Sequence, residues 1–122
     1  MDIKKLIGDA GETLVAEYVK DKGYIVSARN YRTKQGEIDV IAENNDEILF
    51  IEVKTRSDVS FASPQEYVDR HKQMRIIAAA DYYLRYNGYG LNVRFDVAEV
   101  FLDNDGQMTL NYIENAFSKG NF

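Results

Sequence analysis

Residues 36–54 read Gly36-Glu37-Ile38-Asp39-Val40-Ile41-Ala42-Glu43-Asn44-Asn45-Asp46-Glu47-Ile48-Leu49-Phe50-Ile51-Glu52-Val53-Lys54. Two apolar runs flank the polar segment Asn44-Asn45-Asp46-Glu47, which carries turn chemistry, so the stretch reads as a β-hairpin. Side chains alternate across a strand, so Glu37 and Asp39 share one face, and Glu52 and Lys54 share one face. A loop made of Asn45-Asp46 sets Asp39 opposite Glu52 and Glu37 opposite Lys54. A four-residue loop keeps that register, whereas an odd-length loop or a bulge slides Asp39 away from Glu52. Directly opposed residues have Cβ atoms roughly 5 Å apart, close enough for two carboxylates to grip one cation. Charges within strands that are otherwise apolar are costly unless they are paired or hold a metal. The Asp39–Glu52 pair is therefore where function is sought.

Working outward, 122 residues predict one domain with a single buried core. Hydrophobic residues make up 45% and charged residues 29%, the balance of a soluble globular protein. The longest strictly apolar run, Ile76 to Ala80, is five residues, too short for a transmembrane helix. Lys4 and Lys5 precede no apolar leader, and no cysteine is present, which excludes disulfides and thiolate metal sites. These features predict a cytoplasmic location and no membrane partner. A lone histidine, His71, excludes multi-histidine zinc or iron centres, so a metal must be held by oxygens, as Mg²⁺ or Mn²⁺ are.

The net charge of −5 is awkward for a nucleic-acid binder, but it is unevenly spread. Residues 1–35 hold seven Lys/Arg against five Asp/Glu, and residues 54–75 hold five against three. Residues 37–52 hold six acids and no base. A basic rim around an acidic, metal-filled centre fits this pattern.

The periodicity predicts a first helix from about Ile3 to Lys22, with Leu6, Ile7, Ala10, Leu14, Val15, Tyr18 and Val19 as its apolar set and Gly23 as its stop. Tyr24 to Asn30 reads as a strand, and the hairpin adds strands near Glu37–Glu43 and Ile48–Lys54. Ser63-Pro64-Gln65-Glu66 forms a capping box, and Asp69 offers a second N-cap. The alternatives are one long helix or a short turn followed by a helix from Arg70 to about Tyr86, with Ile76, Ile77, Ala80, Tyr83 and Leu84 buried. Asn92–Leu102 and Met108–Ile113 read as two further strands joined at Asp103-Asn104-Asp105-Gly106. That turn resembles the start of a calcium loop but lacks the downstream glutamate, so it reads as a hairpin. Residues 113–122 read as a partly ordered tail in which Phe117 can dock on the core. The order αβββαββ indicates a mixed β-sheet flanked by helices.

An acid near the start of one strand, Asp39 within Gly36-Glu37-Ile38-Asp39, followed by Glu52-Val53-Lys54 in the next, resembles the PD-(D/E)XK nuclease superfamily. Further matches are Gly8 with Gly11-Glu12, Gly23-Tyr24, Asn30-Tyr31-Arg32, Val53-Lys54-Thr55-Arg56, Arg94-Phe95-Asp96-Val97 and Asn115-Ala116-Phe117. Together, and in this order, they resemble the YraN family, whose core is similar to Holliday-junction resolvases and restriction endonucleases. The resemblance implies a restriction-endonuclease-like α/β fold and a metal-dependent nuclease acting on DNA, branched or processed structures included. It implies Asp39 and Glu52 as metal ligands, Lys54 beside them as a catalytic group, and Glu12 reaching in from the first helix. Ala62 stands where the family often carries glycine, which bears on the loop before the second helix.

Two carboxylates holding a divalent cation, with a lysine alongside, suit phosphodiester hydrolysis. The competing reading is a buried salt-bridge cluster with Lys54 paired to Glu37 or Glu52. Glu37 is either a further ligand or a partner of Lys54, and Arg94 with Asp96 reads as a structural ion pair. Lys34, Arg56, Lys72 and Arg75 are the expected nucleic-acid contacts, with Gln65 a weaker candidate and His71 a surface or capping group. Tyr82, Tyr83, Tyr86 and Tyr89 have the spacing of core aromatics and the chemistry for base stacking. A nucleic-acid-binding or adaptor domain that keeps the nuclease fold without robust catalysis is the second functional expectation. Both monomer and homodimer fit the sequence.

Overall fold

Ile48-Leu49-Phe50-Ile51 is fully buried along its whole length, the mark of a strand covered on both faces. In the computed structural model, which describes residues 2–57, 68–88 and 90–121, this run is the middle of the sheet. The elements are α1 (Ile3–Asp21), β1 (Ile25–Arg32), β2 (Glu37–Glu43), β3 (Glu47–Arg56), α2 (Arg70–Leu84), β4 (Asn92–Leu102), β5 (Met108–Phe117) and a terminal 3₁₀ turn (Lys119–Asn121). The strands lie in the order β1-β2-β3-β4-β5. Only β3 and β4 run parallel, because their connection carries α2 across the sheet, whereas the other neighbours are antiparallel. This is the expected α/β order, a mixed sheet flanked by helices in the restriction-endonuclease-like arrangement.

Each helix covers one face. Val15 and Val19 of α1 pack on Val40, Ala42, Leu49, Ile51, Ala98 and Val100. Ile76, Ile77 and Ala80 of α2 pack on Ile41, Ile48, Phe50, Phe95 and Val97. α1 approaches β3 so closely that a side chain at Gly11 would bring its Cβ to 2.1 Å from Thr55 Oγ1. The buried face of α1 is Gly11, Val15, Ala16 and Val19, while Leu6 and Ala10 of the expected apolar set are exposed. The first turns of α1 instead line a cleft with the ends of β1 and β2.

The hairpin has the expected register. Val40 pairs with Ile51, Ile41 with Phe50 and Ala42 with Leu49. Asn44 Oδ1 accepts the N–H groups of Asp46 and Glu47, both at 2.8 Å, which fixes the two-residue loop. Glu37 does not reach Lys54, however. The strands part beyond Val40 and Ile51, and exposed Glu37 faces Arg32 at 3.4 Å.

β1 begins one residue later than expected and ends at Arg32 rather than Asn30, because Tyr31 and Arg32 pair with Ile38 and Glu37. Asp69 caps α2 by accepting the Lys72 N–H at 2.8 Å, and α2 ends at Leu84 rather than Tyr86. The capping box at residues 63–66, including Gln65, and also Ala62 and Tyr89, lie outside the described residues. Tyr83 packs edge-on against Tyr31 and Phe50 in the core, whereas Tyr82 and Tyr86 face solvent.

The largest departure is at the C-terminal end. β5 continues to Phe117 instead of fraying after Ile113. Asp96, fully buried, accepts the Asn115 N–H at 3.0 Å and the Tyr112 hydroxyl at 2.6 Å. Asn115 turns through a left-handed backbone (φ 52°), the register shifts, and Phe117 then pairs with Phe95 and stacks on it at 5.1 Å. Arg94 holds Asp96 from the other side at 3.0 Å and also reaches Glu47 and Glu114. Among the described residues no helix is long and apolar enough to cross a membrane.

Arg94→Met keeps much of the side-chain volume but leaves a buried carboxylate without its cation. A loss of about 3 kcal/mol is expected, the low end for a broken buried pair because Tyr112 and Asn115 still donate to Asp96. Urea unfolding measures it, and an unchanged midpoint would mean that the pair contributes nothing to the fold.

Candidate active site

The parting of β2 from β3 creates the site. By ladder logic the next paired residues after Val40 and Ile51 would be Asp39 and Glu52, but Asp39 Oδ2 itself accepts the Val53 N–H at 2.8 Å. A side chain thus takes a hydrogen bond that backbone would otherwise make. On the other flank of β2, Asn30 has a left-handed backbone (φ 52°), and the β1–β2 pairing passes from Arg29↔Val40 to Tyr31↔Ile38. Asp39 is held in this fork with its carboxyl facing that of Glu52.

Glu52 is only 5% exposed, on the α2 face of β3 beside the Phe50 side of the core. Lys54 follows on the same face and stands in register with Glu99 of β4, itself a buried carboxylate that accepts a hydrogen bond from Asn111. The ion-pair partner of Glu52 is Lys72 from α2, with Nζ 2.7 Å from Oε2. That contact is close but poorly aligned, so Oε2 has no directional hydrogen-bond donor. Lys72 reaches the site because α2 packs tightly on the start of β2. At Gly36 an added Cβ would lie 2.3 Å from the Arg75 carbonyl oxygen.

Glu12 lies close enough to act electrostatically on Asp39, yet its carboxylate is engaged by Asn30 Nδ2 at 3.1 Å and by Arg29 at 3.6 Å. It lines the same cleft as Asp39, a depression of about 600 Å³ between α1 and the ends of β1 and β2. Glu37 forms the boundary with a second depression of about 340 Å³, where His71, Lys72 and Arg75 lie. Lys34 is exposed in the β1–β2 loop, and Arg56 is half-buried at the end of β3. The structure thus brings Asp39, Glu52 and Lys72 together, with Lys54 on the Glu52 face and Glu12 at the border. Lys34, Arg56 and Arg75 stay peripheral.

The carboxyl of Asp39 is raised to about 9, first by burial, then by hydrogen bonding to and repulsion from Glu52, with the Val53 N–H opposing the shift. Two facing carboxylates withdrawn from water favour holding a proton between them when no divalent ion is there. Among the described residues no three acidic or histidine side chains converge as a closed metal cage. Two carboxylates beside an open cleft suit a hard cation that keeps waters and takes further oxygens from its substrate, as Mg²⁺ does. The raised Asp39 and the poorly partnered Glu52 Oε2 both fit such an ion.

A fold of this kind with this carboxylate pair is a restriction-endonuclease-like α/β domain. The chain belongs to the family described as "Uncharacterised protein family UPF0102", whose model matches residues 11–100. This is the YraN family of the sequence resemblance. A UPF0102 protein of Alkaliphilus oremlandii is 48% identical over 118 residues, covering 94% of this chain and all of the relative. Others from Caldanaerobacter subterraneus and Clostridioides difficile are 43% and 44% identical, covering 93% and 90% of this chain and 96% and 95% of the relatives.

The Asp39 shift has a pH consequence. Between about pH 4 and about pH 9 the folded chain keeps a proton on Asp39 that the unfolded chain has released, so stability from this group falls as pH rises. Asp39→Asn mimics the protonated acid and keeps an acceptor for the Val53 N–H. Metal-free Asp39→Asn is expected to melt above the wild type at about pH 8, with a flatter pH profile. Identical profiles for the two proteins would contradict the facing-carboxylate geometry.

Proposed function

We propose that this protein is a metal-dependent nuclease hydrolysing phosphodiester bonds in DNA. The observation that carries the reading is the Asp39–Glu52 fork: a half-buried carboxyl faces a buried one, at a cost that a cation or a proton relieves. Asp39 of the fork lines a cleft of about 600 Å³, a volume that can take a phosphate group. A divalent ion held there, Mg²⁺ or Mn²⁺, would polarise a phosphoryl oxygen and lower the pKa of a bound water. Asp39 and Glu52 would supply its protein oxygens, with Glu12 at the border of the set.

Lys54 emerges on the Glu52 face, where its ammonium can orient water or offset charge developing on the phosphate. Lys34 and Arg75 are exposed and Arg56 is half-exposed, and these are the cations that would meet a DNA backbone. The second reading, a binding or adaptor domain with the nuclease fold, draws on the Lys72–Glu52 ion pair, which supplies a structural counter-ion without any metal.

Glu52 and Lys54 separate the two. Glu52→Gln keeps size and hydrogen bonding but removes the charge a hard cation requires. Under the nuclease reading it loses both cleavage and the rise in melting temperature caused by Mn²⁺. Lys54→Ala keeps the Mn²⁺ response but lowers the cleavage rate by about 10²–10³. Full cleavage by either variant would overturn these roles, and an inert wild type with no Mn²⁺ response would favour the adaptor.

A further inference from the structure

Lys72 is expected from sequence to contact nucleic acid from α2. Its ammonium instead lies 2.7 Å from Glu52 Oε2, inside the fork. The two partners differ sharply in burial: the Glu52 side chain is 5% exposed, the Lys72 side chain 51%. A lysine of this kind is anchored on the outer helix and reaches inward along its flexible stem. Glu37, Asp69, His71 and Arg75 line the open depression beside it, so the half-exposed side chain has room on the solvent side.

We infer that Lys72 is a tethered counter-ion that occupies the cation position on Glu52 in the metal-free protein and is displaced when a divalent ion binds. The inference rests on the metal reading of the fork and adds a device to it. A buried carboxylate whose oxygen lacks a directional donor needs a positive charge nearby, and the Lys72 ammonium supplies one at 2.7 Å. An ammonium seated 2.7 Å from Oε2 repels a divalent cation arriving at the same oxygen, so the two positive charges compete for it. Once displaced, Lys72 keeps its charge and remains at the mouth, where it faces the phosphate of a bound strand. The two anchors of α2 make this geometry reproducible: the Asp69 cap that receives the Lys72 N–H, and the Gly36 contact with the Arg75 carbonyl.

The test uses Mn²⁺ titration by calorimetry alongside metal-free melting, on the full chain. Lys72→Met is expected to melt lower without metal and to bind Mn²⁺ about tenfold more tightly or better, since a competing charge at contact distance is gone. Lys72→Arg, which restores the cation, is expected to return both readouts toward wild type. If Lys72→Met does not fold, Lys72→Gln, which keeps a donor for Oε2, carries the same expectation for Mn²⁺. A merely structural lysine would lower the melting temperature without tightening Mn²⁺. Unchanged or weaker Mn²⁺ binding in the Lys72 variants, with binding abolished in Glu52→Gln, would overturn the counter-ion and leave the metal reading standing. No Mn²⁺ binding by wild type or any variant would overturn both, while binding by Lys72→Met alone would support the inference.

Discussion

An antiparallel ladder continues as long as each strand offers its backbone to the next. Between β2 and β3 it stops at Val40 and Ile51, because the Asp39 carboxyl accepts the Val53 N–H. That one hydrogen bond parts the strands, and the rest of the candidate site depends on it. It takes up the Val53 donor in place of a backbone carbonyl, turns Asp39 toward Glu52, and leaves an opening where a continuous sheet would have none. On the other side of β2, Asn30 has a left-handed backbone and its Nδ2 donates to Glu12. Acids from a helix and two strands are therefore gathered by a local failure of β-pairing.

Neighbouring positions on β3 and β4 treat buried charge differently. At Asp96 the carboxylate is satisfied several times over by Arg94, Tyr112 and Asn115, and the result is a rigid corner that carries β5 to its end at Phe117. At Asp39 and Glu52 satisfaction is incomplete: one carboxyl keeps a proton, and the other leans on a half-exposed lysine. Complete networks specify structure, whereas incomplete ones are where a fold keeps capacity for a ligand. The contrast within one sheet separates the structural acid from the candidate ligands.

Much of this was legible in the chain. The hairpin register followed from Asn45-Asp46 and strand alternation, and β4 from its apolar pattern, because both are local effects. The extent of β5 is not legible locally, because it comes from Asp96, far away in sequence, capturing Asn115 and admitting Phe117. The exposed Leu6 and Ala10 had the right spacing for a core face, but the close approach of Gly11 to Thr55 decides which side of α1 faces the sheet. Asp39 and Glu52 stood out as charges within apolar strands. Lys72 did not, since its contact with Glu52 depends on how α2 rests on Gly36, and Glu99 was hidden as one more acid in a strand. Packing of helix on sheet is the part that periodicity does not encode.

The most direct measurement is anomalous diffraction from crystals soaked in Mn²⁺. The account predicts a peak between the Asp39 and Glu52 carboxylates, about 2.0–2.2 Å from an oxygen of each, with the Lys72 ammonium moved off Glu52. Fully soaked crystals with no peak in the fork, and Lys72 still seated on Glu52 Oε2, would contradict it.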